Sequence, residues 1–491
     1  MSVGVSHIGS AEKPKEFDSP AFKKRRTQNW LALGMLYAFF YMSRYNFAAV
    51  MVNLASTFGW TNTQLGVFET MMPLVYGLSV VLNGPIADRI GGKRAFLTGA
   101  VGVTIMNFLF GLCILAVQVP AVMSGSGHGA HVVTPAVLRD GLSPETLLTT
   151  MAVVWGINGY FQSFGALSIV KVNAHWFHVR ERGTFAGIFG VLIRFGLILA
   201  FSGVPLILTM LPLHFAFWLP SAFVAVMFVI NYFLMENSPE DAGYTGMDTG
   251  DGMGQDDGKP ASLGFVLQRV FASRITWTIA ISSMMIGMVR RSTVDSWYPK
   301  YFKEIYLGSS SANLAAYLPY QATAWGIALC GIVGGFVFGI ASDRIYQGRR
   351  APVITFGFLG MGTMLLLFGL ADRLELGPWA AVVCLSLLSF FVNGAHGMIG
   401  GAASMDFGGR KAAATAAGLF DGMQYLASSF VGIGMGYTLD HWGWKAWQWM
   451  PIPFAIAGAL LISRLWNVTP GRKTAAAATA QPARSAAEQA T

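Results

Sequence analysis

Long apolar stretches, each separated from the next by a short polar or charged loop, recur along the whole chain. About 20 apolar residues cross a bilayer as a helix, and on that length the pattern predicts twelve spans. The first six lie near 29–52, 65–87, 95–118, 147–170, 184–203 and 213–235, and the second six near 274–299, 315–340, 352–370, 379–403, 412–437 and 446–466. Helix is the only open-chain form available to them, because an unpaired backbone group in lipid costs several kcal/mol. The expected organisation is an N-terminal tail (1–28), a six-helix unit (29–235), a central loop (236–273), a second six-helix unit (274–466) and a C-terminal tail (467–491).

Composition narrows the class further. Only 12% of the 491 residues are charged, against 54% hydrophobic, and an ordinary soluble domain carries about 25% charged residues. The formal net charge of +9 does not call for nucleic acid, because membrane proteins concentrate Lys and Arg in cytoplasmic loops. Loops after even spans hold eleven such residues (Arg89, Lys93, Arg94, Lys171, Arg180, Arg182, Arg344, Arg349, Arg350, Arg410, Lys411) and loops after odd spans five (Arg139, Lys300, Lys303, Arg373, Lys445). Both termini are therefore expected on the cytoplasmic side. The basic N-terminus lacks a small-residue cleavage site, so no cleaved signal peptide is expected. The acidic stretch Glu236 to Lys259 does not fit an EF-hand and reads as a solvated linker, as does the Ala-rich tail after Pro470. Cys113, Cys330 and Cys384 all fall in apolar runs, which leaves no disulfide or thiolate-metal framework. There is no Walker loop, and the His175 and His178 pair, with no nearby carboxylate that completes a metal site, reads as interfacial and structural. No cofactor, no metal and no enzyme activity are expected, and a monomer suffices.

The two halves echo each other. GPIADRIGGKR after span two, with Gly84, Asp88, Arg89, Gly91 and Arg94, is matched by GIASDRIYQGRR after span eight, with Asp343 and Arg344. ERGTFAG before span five is matched by KAAATAAG before span eleven, and Trp30 to Arg44 by Trp277 to Arg291 at the same 14-residue interval. Parallel six-helix repeats are the pattern of the major facilitator fold, and the loop signature resembles that superfamily's.

Ionisable residues within spans cost roughly 2.5–3.5 kcal/mol each on insertion scales, so each is a functional candidate. They are Arg44, Glu69, Arg194, Arg290, Arg291 and Asp421, with His396 as a polar companion. Fourteen residues after a Trp anchor places Arg44 and Arg291 each about 21 Å along its helix. The two guanidiniums are thus expected at similar depth in one central cavity, where a planar fork holds a phosphoryl or carboxylate group bidentately. The bland alternative pairs Arg291 with Asp295 one turn away. Tyr37, Tyr41 and Tyr76 either line that cavity or pack. Arg290 pairs with Glu69 or Asp421, and Arg194 joins the anion site or pairs with Asp421.

Several stretches resemble the organophosphate:phosphate antiporter family, which includes glycerol-3-phosphate and hexose-phosphate transporters and a sugar-phosphate sensor. YMSRYNFAAVM is similar to the family's first span, with Arg44 at its substrate arginine. NGYFQSFGALSIVKVNAHWF, with Asn158, Gln162, His175 and Trp176, is similar to the fourth span and its exit. RSTVDSWYPKYFKE resembles the seventh, where the interval back from Pro299 selects Arg291 as the second substrate arginine. RKAAATAAGLFDGMQYL and GYTLDHWGW resemble the eleventh span and the loop after it. The resemblance implies alternating-access exchange of an organic phosphate for inorganic phosphate across a bacterial inner membrane. Its departures are Val80 where glycerol-3-phosphate transporters carry a cavity lysine, Ile193 followed by Arg194 where they carry a histidine, and the added acids Glu69 and Asp421. A cationic or hydroxyl-rich substituent on the phosphate would suit those acids. Two rivals stay open, a proton-coupled organic anion symporter using Glu69 or Asp421, and a non-transporting sensor.

Overall fold

Helix start signals recur ahead of the apolar runs. Ser19 accepts from the Phe22 N–H with Pro20 at the first helical position, Thr61 and Gln64 form a reciprocal capping box, and Ser143 precedes Pro144 and Glu145. Each satisfies backbone N–H groups that a helix start leaves open. The computed structural model describes residues 17, 19–124, 131–139, 141–178, 182–244, 272–308 and 313–468, without the side chains of 88, 124, 131, 182–189, 401–402 and 404–417. Most of the acidic central stretch, the Ala-rich tail and the first sixteen residues lie outside the described residues, as does the side chain of Asp88.

Twelve long helical elements follow in order. In the first half they are α1 (Pro20–Ala49), α2 (Asn62–Ile90), α3 (Gly92–Ile114), α4 (Pro144–Trp176), α5 (Arg182–Ile198) and α6 (Phe215–Leu234). In the second they are α7 (Arg274–Ser292), α8 (Leu318–Ile340), α9 (Arg350–Arg373), α10 (Pro378–Gly397), α11 (Ser404–Trp442) and α12 (Ile452–Ser463). Helix α1 begins nine residues before the boundary expected at 29, so the last part of the tail is helical. π-type turns extend α5 over Leu199–Gly203, α8 over Ala341–Ile345 and α10 over Met398–Ala403. Such turns widen a helix locally and recur at functional sites. Between α3 and α4 the chain forms two short antiparallel ladders, β1 (Val117–Val119) with β4 (Val137–Leu138) and β2 (Val122–Ser124) with β3 (His131–Thr134). These strands are too short for an alternating pattern to reveal.

Among the described residues, eight stretches are long and apolar enough to cross a membrane. Helices α1, α4, α7 and α11 fall outside that set although they run 30, 33, 19 and 39 residues. Buried polar side chains lower their hydropathy, among them Arg44 and Asn46 in α1, Asn158 and Gln162 in α4, Arg290 and Arg291 in α7 and Gln424 in α11.

The packing repeats with the sequence. Helix α1 packs on α5 and α6, α2 on α4, and α3 on α4 and α6; correspondingly α7 packs on α11 and α12, α8 on α10, and α9 on α10 and α12. The halves meet along α2 with α11 and along α5 with α8, which are equivalent seams under the same relation. Small residues bring the first seam close: a Cβ on Gly66 would stand 2.5 Å from the Gly432 carbonyl, and one on Gly432 2.4 Å from the Thr70 nitrogen. Asp440 at the end of α11 accepts from the Asn62 and Thr63 N–H groups at 2.9 and 2.7 Å, capping α2 from the other half. The close approach reaches Gly77, where a Cβ would meet Tyr425 at 3.0 Å. Seven residues on and on the same helical face, Gly84 meets nothing within 4 Å, and neither does Gly418 on α11. The halves are therefore tightly packed toward the start of α2 and separate toward its end.

Candidate functional site

Helix α1 carries a ladder of tyrosines four residues apart, Tyr37, Tyr41 and Tyr45, with ring centroids 5.1 and 5.7 Å apart. Arg44 follows this face. Its guanidinium lies 4.8 Å from the Tyr41 ring and 4.6 Å from the Tyr76 ring. It donates to Gln162 Oε1 of α4 at 3.2 and 3.4 Å and to the Tyr425 hydroxyl of α11 at 3.3 Å. Gln162 is held in turn by donating to the Phe40 carbonyl at 3.1 Å. Among the described residues all of Arg44's hydrogen-bond partners are neutral, although the residue is only 3% exposed. Burial of that kind is unfavourable unless something compensates it.

The second half supplies its arginines differently from the sequence expectation. Arg291 Nη2 pairs with Glu69 Oε2 of α2 at 2.6 Å, and Ser296 donates to the same oxygen at 2.5 Å. Arg290 Nε pairs with Asp295 Oδ2 at 2.8 Å and donates to the Tyr45 hydroxyl at 3.3 Å, while Tyr45 donates to Asp295 at 3.2 Å. Glu69 thus takes Arg291 and not Arg290, and Asp295 takes Arg290 and not Arg291. The cause lies in the backbone. Helix α7 ends at Ser292, and the non-helical stretch that follows brings the Asp295 N–H onto the Arg290 carbonyl at 3.1 Å. The i,i+4 geometry assumed for Arg291 and Asp295 therefore does not exist. Arg290 is the member of the pair within electrostatic reach of Asp421, His396 and Arg194.

Arg194 on α5 donates to Asn393 Oδ1 of α10, a neutral partner across the seam between halves. It does not form the ion pair with Asp421 that one reading expected. Asp421 lies within electrostatic reach of Arg44 and Arg290, and among the described residues it makes no direct ion pair. His396 Nδ1 donates to Gln424 Oε1 at 2.8 Å. Asn158 turns away from this group: it accepts from Asn107 at 3.3 Å and donates to the Ser43 carbonyl at 3.4 Å, inside a polar knot of α1, α3 and α4. Tyr45, Asn393, Gln424 and Tyr425 belong to the site and were not singled out from sequence. The 4-residue spacing of Tyr45 behind Tyr37 and Tyr41 was a signal that could have found it.

The loop signature sits where the helices turn. Gly91 has φ +87°, a left-handed conformation open to glycine, and closes α2. Lys93 pairs with Glu236 at 3.1 Å, and its N–H donates to Asn237 at 2.7 Å. In the second half Asp343 pairs with Arg350 at 2.5 Å, while Arg89, Arg94 and Arg344 are exposed.

Comparison with known proteins gives the family. The chain is 26% identical over 458 residues to a glycerol-3-phosphate transporter of Bacillus subtilis (strain 168), covering 91% of this chain and 94% of that protein. It is 24% identical over 447 residues to a hexose-6-phosphate:phosphate antiporter of Escherichia coli (strain K12), covering 87% and 86%. A solved bacterial homolog of the human lysosomal transporter Spinster superposes with a TM-score of 0.67 at 12% identity, covering 93% of this chain and all of that one. The family model described as Major Facilitator Superfamily matches residues 33–432. With its twelve helices in two pseudo-symmetric six-helix bundles, this multi-pass transporter belongs to the Major Facilitator Superfamily.

Proposed function

We propose that the protein exchanges a small organic phosphate for inorganic phosphate by alternating access, with the substrate held between the two halves. The observation that carries this reading is Arg44, a buried guanidinium that among the described residues hydrogen-bonds only to neutral groups, Gln162 of its own half and Tyr425 of the second. A bidentate anion is the ligand such a fork recognises best. The expected set of Arg44, Arg291, Tyr37, Tyr41, Tyr76, Gln162, Arg194 and His396 is retained here with Arg290 added. Asn158 positions α4 against α1. With both termini on the cytoplasmic face of a bacterial inner membrane, the close packing from Asn62 to Gly77 closes the outward side, and the parting at Gly84 and Gly418 opens the inward side. The relatives' printed names, a glycerol-3-phosphate transporter and a hexose-6-phosphate:phosphate antiporter, support the substrate class.

Radiolabelled phosphate uptake into proteoliposomes tests it. Vesicles preloaded with phosphate are expected to take up label, empty vesicles are not, and an imposed proton gradient is expected to leave the rate unchanged. Uptake that follows the proton gradient into empty vesicles would replace exchange with symport. Phosphate binding without any flux would favour a sensor.

A further inference from the structure

The charged side chains where the two halves meet sort into two kinds. Arg290 with Asp295 and Arg291 with Glu69 are direct ion pairs at 2.8 and 2.6 Å. Arg44 and Arg194 instead donate to neutral oxygens, those of Gln162, Tyr425 and Asn393. Asp421 stands one helical turn before Tyr425, the α11 partner of Arg44, as a half-buried carboxylate that, among the described residues, has no hydrogen bond and no direct ion pair. Its electrostatic neighbours are Arg44 and Arg290. The uncompensated groups are thus two guanidiniums and one carboxylate, and Tyr41 lies within electrostatic reach of both guanidiniums.

A lone carboxylate beside an anion site is unfavourable for a plain phosphate monoester, whose two charges it repels. It is favourable for a ligand that places a cation there. We propose that the organic substrate is zwitterionic, a phosphate monoester or phosphonate bearing an ammonium group. In this arrangement Arg44 and Arg194 take the phosphoryl oxygens and Asp421 takes the ammonium. A dianionic phosphoryl group with one ammonium carries one net negative charge, which matches the one net positive charge of the uncompensated groups. The monoanion of inorganic phosphate carries the same net charge, so both partners of an exchange leave the site neutral, and neutrality at membrane depth avoids a large penalty. This inference rests on the exchanger reading and narrows it.

The test uses the full chain in phosphate-loaded proteoliposomes and measures inhibition of labelled phosphate exchange by 2-aminoethyl phosphate and by 2-hydroxyethyl phosphate, which differ in one terminal group. The aminoethyl ester is expected to inhibit at a concentration at least about tenfold lower, as one charge-assisted hydrogen bond provides. In Asp421→Asn the ratio of the two inhibitory concentrations is expected to fall to about one, and in Asp421→Glu to be partly kept. The ratio is read within each variant, so a change in basal rate does not enter. Where exchange is too slow to read, ligand-induced thermal stabilisation of the detergent-purified protein gives the same ratio. A wild-type ratio of one or below, or a ratio unchanged in Asp421→Asn, overturns the proposal while leaving phosphate exchange standing. Net phosphate uptake driven by a proton or sodium gradient and lost in Asp421→Asn overturns it too, by making Asp421 a coupling-ion site. Failure of the wild type to bind or exchange phosphate removes the exchanger reading and this inference together.

Discussion

Arg44 holds its position through contacts that a lysine cannot reproduce. Its guanidinium bonds Gln162 from α4 and Tyr425 from α11 while lying against two tyrosine rings. An ammonium at the same place keeps the charge but loses the planar fork and its fixed directions. Arg44→Lys is expected to lower phosphate exchange about 100-fold, the size of losing two hydrogen bonds to a charged group. Tyr425→Phe removes one acceptor of the guanidinium and is expected to lower exchange about tenfold, in line with a single hydrogen bond to a charged group of roughly 1.5 kcal/mol. Exchange at the wild-type rate in Arg44→Lys in the same proteoliposome assay would show that Arg44 acts by charge alone. Arg44 was legible in the sequence because a cation in an apolar run is costly and its depth follows from counting residues. Tyr425 and Asn393 were not, since uncharged polar residues in a span carry no comparable penalty and their partners come from other helices. The depth of Arg291 was equally readable, but its direction depended on where α7 ends, and a run of Ser, Thr, Val and Asp does not announce a helix end.

The seam between α2 and α11 is set by glycines, and its two ends make opposite demands. Near its start, Gly432 packs so closely that a Cβ would lie 2.4 Å from the Thr70 nitrogen and 2.6 Å from the Glu69 carbonyl carbon. Gly432→Ala is expected to push the helices apart at a cost of about 2 kcal/mol, the usual size of overpacking, and to lower the melting temperature of the purified protein. Gly84, on the same face of α2, has open space around it, so Gly84→Ala is expected to leave the melting temperature within about 2 °C. If the ends of α2 and α11 approach each other when the transporter reverses, Gly84→Ala will nonetheless slow exchange. A variant of unchanged stability and unchanged exchange would show that this end of the seam never closes. Twelve apolar runs and the halved repeat were enough to place α2 and α11 in opposite bundles. Which glycine faces which helix was beyond the pattern, because lipid and protein neighbours of these spans look alike in composition.

Across the molecule, the Glu69–Arg291 pair joins the two bundles on the side where they are packed together. Both partners are almost fully buried, at 2% and 8% side-chain exposure, and Ser296 completes the carboxylate's coordination. Removing one member of a buried pair leaves the other charge uncompensated, at a cost of about 3–5 kcal/mol, whereas removing both costs far less. In a transporter with two states that cost falls on the state in which the pair is buried. Opening this side to water relieves it, so Glu69→Gln is expected to move the equilibrium toward the open state without unfolding the bundles. Ser429 reports on the same seam, since its carbonyl accepts from Thr70 at 2.7 Å and the residue is 2% exposed. In a background lacking Cys113, Cys330 and Cys384, Ser429→Cys is expected to react with a maleimide at least about tenfold faster in Glu69→Gln, a small part of what the lost pairing energy permits. The double variant Glu69→Gln with Arg291→Gln is expected to return the labelling rate most of the way, because no bare charge then remains to be solvated. Equal labelling in all three proteins would mean that the pair does not hold this side shut. A double variant faster than Glu69→Gln alone would mean that the attraction itself, rather than the penalty on a stranded guanidinium, holds the two halves together.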